Sequence, residues 1–289
     1  MNNQLLILGG GFGLYGYLPA AMQTNWQVTT LSRYKSFLEK RVELSGLLNR
    51  VTFVAENDLD PNAYDAVVIA RTPQQQIDFV RSNSSFEGHL FLEKPLGNTA
   101  KSTSELLDVL QSRKSNFSVA YLFLYQDWYR AITSQKQSES SVTINWRITP
   151  SRNQNWKKQI DAGGGILSYY GVHLLSLIVD CEYDLNSLQI NYGEDFLGIR
   201  SKNTSSQLDI KLTVDDVAGF EVDLKGLTGN YHWSGASPFG INPTPEIPDP
   251  RIPALIDYLS GWQTHKDLAE SIAQERKILR LRQTISEIL

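Results

Sequence analysis

The chain has 289 residues, of which 41% are hydrophobic and 20% are charged, and its formal net charge is -4. This composition is typical of a globular protein with room for two domains, and the acidic balance argues against a nucleic-acid surface. A single cysteine, Cys181, excludes an intramolecular disulfide and fits a reducing compartment. We find no signal-peptide pattern and no apolar segment of about 20 residues, so we expect a cytoplasmic protein with no membrane partner.

The first 120 residues alternate short apolar runs with helical patterns. The apolar runs, each typical of a buried strand, are 4–8, 26–31, 51–54, 66–70, 89–92 and 117–124. A helical pattern over 15–22 follows the first run. Nearly continuous apolar strands separated by helices predict a parallel sheet covered on both faces, which is the doubly wound α/β (Rossmann) class.

After about residue 140, apolar residues alternate with polar ones. The stretches with this period of two, which is typical of half-buried strands, are 142–148, 188–192, 208–214 and 220–224. We therefore predict an α+β domain with an open, mainly antiparallel sheet, in which Asp215 and Asp216 form a hairpin turn. A proline-rich loop or crossover over 238–253 and a helix over 267–289 complete the chain. The predicted domains are 1–122, for a dinucleotide, and 123–289, for a substrate.

Glycines follow the first predicted strand, where a helix begins. Gly11, Gly13 and Gly16 fit the pattern G-x-G-x-x-G, but Gly9, Gly11 and Gly13 could serve instead in a shifted register. Glycine suits a backbone that must turn sharply and approach a pyrophosphate closely, while the helix N-terminus offers N–H groups and a positive dipole end. Ordinary tight turns also use glycines, but the position after the first strand favours dinucleotide binding, with Phe12 as a further contact.

The second predicted strand ends in Ser32, Arg33, Tyr34 and Lys35, and no acid appears before Glu39. In dinucleotide-binding domains an acid at this point takes the ribose 2′-hydroxyl of NAD, whereas a base accommodates the 2′-phosphate of NADP. Arg33 and Lys35 suit a dianionic phosphate, to which Ser32 can donate a hydrogen bond. We therefore predict NADP(H) as the cofactor. The alternative is a solvated helix start with ordinary surface charges.

The segment 91–96, FLEKPL, resembles the Glu-Lys-Pro signature of the glucose–fructose oxidoreductase/inositol dehydrogenase (Gfo/Idh/MocA) family. Further segments resemble the family in the same order: YLPA at 17–20, DAVVIARTP at 65–73, and GGGIL at 163–167 followed by GVH at 171–173. The resemblance implies a two-domain oxidoreductase that acts on a sugar, an inositol or a nucleotide-linked sugar. It also implies a homodimer or homotetramer that associates through the open face of the second sheet.

The same resemblance implies roles for individual residues. Lys94 lies between nicotinamide and substrate in the family and hydrogen-bonds the reacting oxygen, where its charge stabilises a developing oxyanion; the alternative is a surface lysine beside a turn proline. Glu93 and Pro95 share this cofactor loop, and the family's proline often follows an unusual peptide geometry. The cofactor-covering loop after the fourth strand contributes Arg71, Thr72 and Pro73.

The chain departs from the family on the helix that follows the three glycines. The family carries Asp-x-x-x-His on one helix face, but this chain has Tyr169 and His173, and Ser176 replaces a further acid. We predict His173 as the acid/base, because imidazole titrates near neutrality. Tyr169 is a second candidate proton donor, with its pKa lowered by Lys94. The alternative is that Tyr169 and His173 only fill space in the interior.

We predict hydride transfer between NADP(H) and a carbonyl or carbinol carbon of a sugar-like substrate. Two alternatives stay open: a redox-silent relative that binds NADP(H) or a sugar as a sensor or scaffold, and a reductase of a non-sugar substrate. Trp156 and Lys157 precede the three glycines, where the family places substrate contacts. Four histidines and one cysteine show no metal-ligand spacing, so no metal is predicted.

Overall fold

The computed structural model describes residues 3–113, 115–135, 139–149, 155–202, 206–227, 229–244 and 247–288. The chain divides into two compact units. The first unit contains Met1–Gly97, Lys101–Ala120 and Pro243–Ala273, and the second contains Asn98–Ala100, Tyr121–Asn242 and Gln274–Leu289. The units are therefore built from interleaved segments, whereas the predicted domains 1–122 and 123–289 are contiguous ranges; those ranges stay a prediction.

A parallel sheet forms the centre of the first unit, with the strand order β3-β2-β1-β4-β5-β6. Its strands are β1 (Asn3–Leu8), β2 (Trp26–Leu31), β3 (Thr52–Val54), β4 (Ala66–Ile69), β5 (His89–Leu92) and β6 (Phe117–Val119). All residues of β4 and β5 are buried, as expected for a parallel sheet covered on both faces. This confirms the doubly wound prediction. The residues that follow each strand come out at one carboxyl edge of the sheet, where ligands bind in this class.

The described helices are α1 (Leu18–Ala21), α2 (Lys35–Lys40), α3 (Val42–Ser45), α4 (Pro73–Ser82), α5 (Ala100–Gln111), α6 (Asp127–Ser134), α7 (Val172–Asp180), α8 (Ile252–Ser260) and α9 (Leu268–Ser286). The proline-rich stretch leads into α8, which belongs to the first unit. There the indole Nε1 of Trp26 donates to the carbonyl of Leu259 at 3.2 Å. The sixth strand is shorter than the predicted 117–124, because a 3₁₀ turn, Leu122–Tyr125, takes the end of that apolar run.

A second sheet forms the centre of the second unit, with the strand order β12-β11-β7-β10-β9-β8. Its strands are β7 (Ser140–Ile148), β8 (Gln189–Tyr192), β9 (Phe196–Lys202), β10 (Ser206–Val214), β11 (Gly219–Gly226) and β12 (Gly229–Gly235). Its pairs are antiparallel except for β7 with β10, which confirms the mainly antiparallel prediction. Alternate residues of β7, β10 and β11 are buried, and their neighbours form a polar open face.

The predicted hairpin at Asp215 and Asp216 is wrong. These residues connect β10 to β11, but both strands pair with β7, which lies between them. Neighbouring strands lie about 4.8 Å apart, so the short connection crosses roughly 10 Å over the end of β7. An alternating pattern predicts strands without predicting which of them are neighbours. Strand β9 is not predicted at all, since only Leu197 and Ile199 give it a buried apolar face.

One helical segment, Ile160–Asp180, is long and apolar enough to cross a membrane by length and composition. The sequence analysis expects no such segment and does not single this one out; in the structure a turn at Gly163 and Gly164 separates its short 3₁₀ start from the longer helical run that follows. The apolar window of the segment is 78% buried within the protein. That burial is typical of a core helix, and the segment packs against β9 and β10 of the second sheet.

Candidate functional site

The glycine turn follows β1 directly and leads into a π-helical turn, Gly13–Tyr17, that continues as α1. Gly9 has a φ of +147°, and a side chain there would collide with the backbone carbonyl of Ala70. A Cβ at Gly13 would touch Ala70 at 3.4 Å, so this glycine lets the turn pack closely on the end of β4. These positions favour the register of Gly9, Gly11 and Gly13.

Gly16, which the other register uses, has a different role. A Cβ at Gly16 would strike the ring of Phe12, which folds back onto the helix. The Phe12 ring also lies 5.3 Å from the ring of Tyr17, and the guanidinium carbon of Arg251 lies 3.9 Å from its centroid. The Phe12 side chain is thus packed by protein groups, and its contact with a cofactor stays a prediction.

The glycine turn leaves space for the phosphates of a dinucleotide. A Cβ at Gly11 would meet no atom of the described residues within 4 Å, whereas the neighbouring Gly10 would meet the ring of Tyr34. The backbone at Gly11 therefore borders open space at the point where the pattern places a pyrophosphate. The turn lies at the N-terminus of a helical run, where backbone N–H groups favour an anion. The residues present fit this part of the cofactor.

Ser32, Arg33 and Lys35 lie immediately after β2, in a 3₁₀ turn and the first residue of α2, and all three are exposed. Arg33 is engaged on both sides: Nη1 lies 2.5 Å from Oε2 of Glu56, and Nη2 donates to the hydroxyl of Tyr34 at 3.1 Å. The hydrogen bond with Tyr34 raises the pKa of Arg33, with the charge of Glu56 as a smaller cause. Arg33 is thus held at the carboxyl edge as a cation.

Arg71, Thr72 and Pro73 connect β4 to α4. Thr72 caps α4, since its hydroxyl accepts the backbone N–H of Gln75, whose side chain in turn accepts the N–H of Thr72. Pro73 occupies the first helical position and is buried. Arg71 reaches back along the edge, with Nη2 at 3.8 Å from Oε1 of Glu56. The loop is therefore fixed by its own helix cap, and Arg71 and Arg33 face the same carboxylate.

Glu93, Lys94 and Pro95 follow β5 at the same carboxyl edge. The Lys94–Pro95 peptide bond is cis, the unusual geometry that the family resemblance suggests. The side chain of Gln76, on α4, holds this loop through three hydrogen bonds to its backbone. Its amide nitrogen donates to the carbonyl oxygens of Glu93 at 3.0 Å and Leu96 at 3.2 Å, and its amide oxygen accepts the N–H of Glu93 at 2.8 Å.

The carboxyl group of Glu93 accepts a part-buried hydrogen bond from the hydroxyl of Tyr17 at 2.7 Å. Burial raises the pKa of Glu93, against the opposing charge of Lys94. Burial also raises the pKa of Tyr17, with Glu93 as the next cause, so its hydroxyl stays a donor. The Glu93 side chain thus joins the cofactor loop to the helix behind the glycine turn.

Tyr169 lies in the second unit, on a π-helical segment, Ile166–Gly171, that precedes α7. The ammonium of Lys157 lies 5.0 Å from the centroid of its ring, and the ring of Trp156 lies edge-on at 5.5 Å. Tyr170 packs beside it at 4.8 Å. The structure therefore gathers Trp156 and Lys157 around Tyr169, three positions that the sequence singles out. π-Helical segments inside helices occur often at functional sites.

His173 is the second residue of α7, in the second unit, and only 7% of it is exposed. Its ring stacks on Phe123 at 4.5 Å with an angle of 18° between the ring planes, and Tyr121 meets it edge-on at 6.2 Å. The hydroxyl of Tyr121 donates to the carboxylate of Glu275 at 2.9 Å. His173 is therefore held by two aromatic rings, and one of them, Tyr121, is hydrogen-bonded to the buried carboxylate of Glu275.

Several site residues are absent from the sequence prediction: Tyr17, Glu56, Gln76 and Arg251. Gln76 carries a usable signal, since it interrupts the apolar face of α4 formed by Ile77, Val80 and Pro73. Glu56 and Arg251 carry none, because their partners are distant in sequence. Among the described residues, no group of three or more His, Cys, Asp or Glu side chains is arranged to hold a metal ion.

No protein-family model matches the chain. An uncharacterized oxidoreductase of Synechocystis sp. is 25% identical over 187 residues, which are 60% of this chain and 49% of the relative. The chain thus aligns with about half the length of this relative. At this level of identity and coverage, the comparison agrees with the motifs described above and leaves the activity of the whole protein to be proposed.

Solved structures match nearly the whole chain. A Gfo/Idh/MocA family oxidoreductase from Vibrio cholerae superposes with a TM-score of 0.72 at 14% identity, over 99% of this chain and 98% of that one. This protein has the Gfo/Idh/MocA fold. A 3-ketoreductase from Actinomadura kijaniata, in complex with NADP and TDP-benzene, superposes with a TM-score of 0.70 at 12% identity, over 99% and 98% of the two chains. The resemblance seen in the sequence is confirmed at the level of the fold.

Proposed function

We propose that the protein is an NADP(H)-dependent oxidoreductase that transfers a hydride to or from a carbonyl or carbinol carbon of a sugar, an inositol or a nucleotide-linked sugar. One observation carries the proposal: the glycine turn, Arg33 and the cis-proline loop with Lys94 follow three strands of one parallel sheet, at its carboxyl edge. This edge is where nucleotides bind in doubly wound sheets. The fold shared with a ketoreductase that binds NADP supports the cofactor class.

The residues at the carboxyl edge of the first sheet have different roles in this proposal. The backbone of Gly9, Gly11 and Gly13 holds the pyrophosphate, and Ser32, Arg33 and Lys35 bind the 2′-phosphate. Bound nicotinamide supplies or accepts the hydride. Lys94 donates a hydrogen bond to the substrate oxygen and stabilises the negative charge that develops on it. The three hydrogen bonds of Gln76 hold the backbone from which Lys94 extends.

Proton transfer is assigned to His173, Tyr169 or both. Tyr169 packs under the ammonium of Lys157, which lies 5.0 Å from the centroid of its ring and holds the ring in place. The stack on Phe123 fixes the plane of the His173 ring. An imidazole held in a fixed plane suits general acid–base catalysis. Trp156, beside Tyr169, presents an aromatic face of the kind that packs on sugar C–H groups.

A redox-silent NADP(H)- or sugar-binding relative is the second candidate. Tyr169 replaces the family's aspartate, and this replacement favours the second candidate. A reductase of a non-sugar substrate uses the same residues and differs only in the molecule that turns over. We further propose a cytoplasmic homodimer or homotetramer. Its interface would be the polar open face of the second sheet, which carries the ion pairs Arg147–Glu221 and Arg200–Asp209.

The cofactor assignment is tested by titrating NADPH and NADH, followed by fluorescence, into the wild type and Arg33→Ala. We expect NADPH to bind about 10- to 100-fold more tightly than NADH, and the variant to lose most of that preference. Equal affinities in the wild type, or an unchanged ratio in Arg33→Ala, would refute NADP(H). A panel of keto and hydroxy sugars then separates the candidates: binding without any turnover favours the redox-silent relative.

A further inference from the structure

Glu56 occupies the same level of the carboxyl edge as Arg33. Strands β2 and β3 pair in parallel with Leu31 opposite Val54, so Arg33 and Glu56 each lie two residues beyond the paired ends. The 3₁₀ turn Ser32–Tyr34 follows β2 directly, and the 3₁₀ turn Glu56–Asp58 follows β3 after one residue. The register of the sheet therefore places a carboxylate beside the base that we assign to the 2′-phosphate.

The two oxygens of Glu56 face two arginines. Oε2 lies 2.5 Å from Nη1 of Arg33, and Oε1 lies 3.8 Å from Nη2 of Arg71, which extends from the end of β4. A pair of guanidinium groups around one anion is also the arrangement that binds a phosphate, because both anions present several acceptor oxygens. The carboxylate of Glu56 thus engages Nη1 of Arg33, a donor for which a phosphate would have to compete.

The net charge of these three side chains determines which ribose group they favour. Together they carry one positive charge, and Arg33 and Arg71 without Glu56 would carry two. A 2′-phosphate carries up to two negative charges and is repelled by the carboxylate, whereas a 2′-hydroxyl can donate a hydrogen bond to it. About half of the Glu56 side chain is exposed, so it has room to turn away at the cost of its contact with Arg33.

We propose that Glu56 is a specificity-determining residue that limits the preference for a 2′-phosphate by competing for Arg33 and Arg71. The inference rests on the proposed cofactor site and adds Arg71 as its second arginine. According to this proposal, the preference for NADP(H) over NAD(H) depends on Glu56, which follows β3, as well as on the residues that follow β2. Replacing this acid is expected to make the site more selective for NADP(H).

The experiment measures binding of 2′,5′-ADP and 5′-AMP by calorimetry, so it depends on neither nicotinamide nor turnover. Glu56→Gln keeps the shape and removes the charge. We expect it to tighten 2′,5′-ADP by about fivefold to thirtyfold, the scale of one unit charge near a protein surface, and to leave 5′-AMP within about twofold. Glu39→Gln, which removes an exposed acid from α2, is the matched control and should change neither affinity.

Two arginine variants separate this inference from the cofactor assignment. Arg71→Ala should weaken 2′,5′-ADP and leave 5′-AMP unchanged, as Arg33→Ala should. If Arg33→Ala weakens 2′,5′-ADP while Glu56→Gln leaves it unchanged or weaker, the inference is wrong and the NADP(H) assignment stands. If Arg33→Ala has no effect on 2′,5′-ADP, the cofactor assignment itself fails.

Discussion

The residues proposed for the cofactor and those proposed for proton transfer are held in place by different forces. At the carboxyl edge of the first sheet, side chains and backbone are fixed by hydrogen bonds, as in the three bonds from Gln76 and the cap formed by Thr72. In the second unit, His173 and Tyr169 are fixed by rings that stack or meet edge-on. Hydrogen bonds demand the right polar atom, whereas aromatic packing demands volume and shape. Substitutions that separate polarity from volume therefore test the two regions differently.

The largest effect is expected at the aromatic site. His173→Asn removes the titrating group, and we expect it to lower turnover about 10²- to 10⁴-fold, the range for a positioned acid or base. Tyr169→Phe keeps the ring contacts and removes only the hydroxyl. A loss of similar size in Tyr169→Phe would make the tyrosine the proton donor, and a loss under about tenfold would make it a packing group. Rates are measured on a substrate from the sugar panel, with the exposed His232→Asn as control.

Lys94→Met tests the hydrogen-bonded loop by removing the charge while keeping a chain of similar length. We expect turnover to fall by about 100-fold or more, the cost of one donor to a developing oxyanion. Affinity for NADPH should change far less, because Lys94 acts on the substrate oxygen. Lys101→Met, an exposed lysine on α5, serves as the comparison. Near-normal turnover in Lys94→Met would remove Lys94 from the proposed chemistry.

Gln76→Leu tests the brace beneath that loop. The substitution keeps the side-chain volume but removes three part-buried or buried hydrogen bonds to the backbone of Glu93 and Leu96. We expect the free energy of unfolding to fall by about 2–4 kcal/mol. We expect the rate constant kcat to fall about tenfold while binding of 2′,5′-ADP is unchanged, because the loop carries Lys94 and not the 2′-phosphate contacts. Denaturant unfolding and steady-state kinetics measure both. A variant as stable as wild type would contradict the brace.

The smallest effect at neutral pH concerns an aromatic cluster in the first unit. His89 packs on Phe91 at 4.6 Å, and burial, together with the nearby His265, lowers the pKa of His89 to about 3. Between pH 6.5 and about 3, the unfolded chain protonates His89 while the folded protein keeps it neutral. The free energy of unfolding is therefore unaffected by His89 above pH 6.5 and decreases as the pH falls from 6.5 toward 3. We expect an extra slope of about 1.4 kcal/mol per pH unit in that window.

His89→Phe should keep the ring packing and remove that slope, leaving the weaker contribution of His265, whose pKa burial also lowers. Denaturant titrations at pH 4, 5, 6 and 7 compare the two proteins. If the free energy of unfolding changes with pH equally in wild type and His89→Phe, the pKa of His89 is not lowered by burial in this cluster. In that case the aromatic packing of the first unit would be looser than the close ring distances indicate.

The sequence predicts most of what local patterns determine. Apolar runs identify the strands of the first sheet, and the segments around Gly9, Arg33 and Lys94 stand out because each follows a strand directly. Contacts between distant segments carry no such signal. Arg33 lies 23 residues from Glu56, and nothing in either segment indicates the pairing, which depends on the register of β2 and β3. The wrong prediction of a hairpin at Asp215 and Asp216 has the same origin, because the alternation of apolar and polar residues does not indicate which strands pair with each other.

The return of Pro243–Ala273 to the first unit has a consequence for how the protein is made. Trp26 emerges from the ribosome early, but Leu259, the acceptor for its indole, is synthesised 233 residues later. Tyr258 likewise closes onto Ser118 across 140 residues. The apolar surface of the first sheet that these residues cover therefore stays uncovered until Pro243–Ala273 has been translated. Contacts this distant in sequence slow folding and leave partly folded chains prone to aggregation.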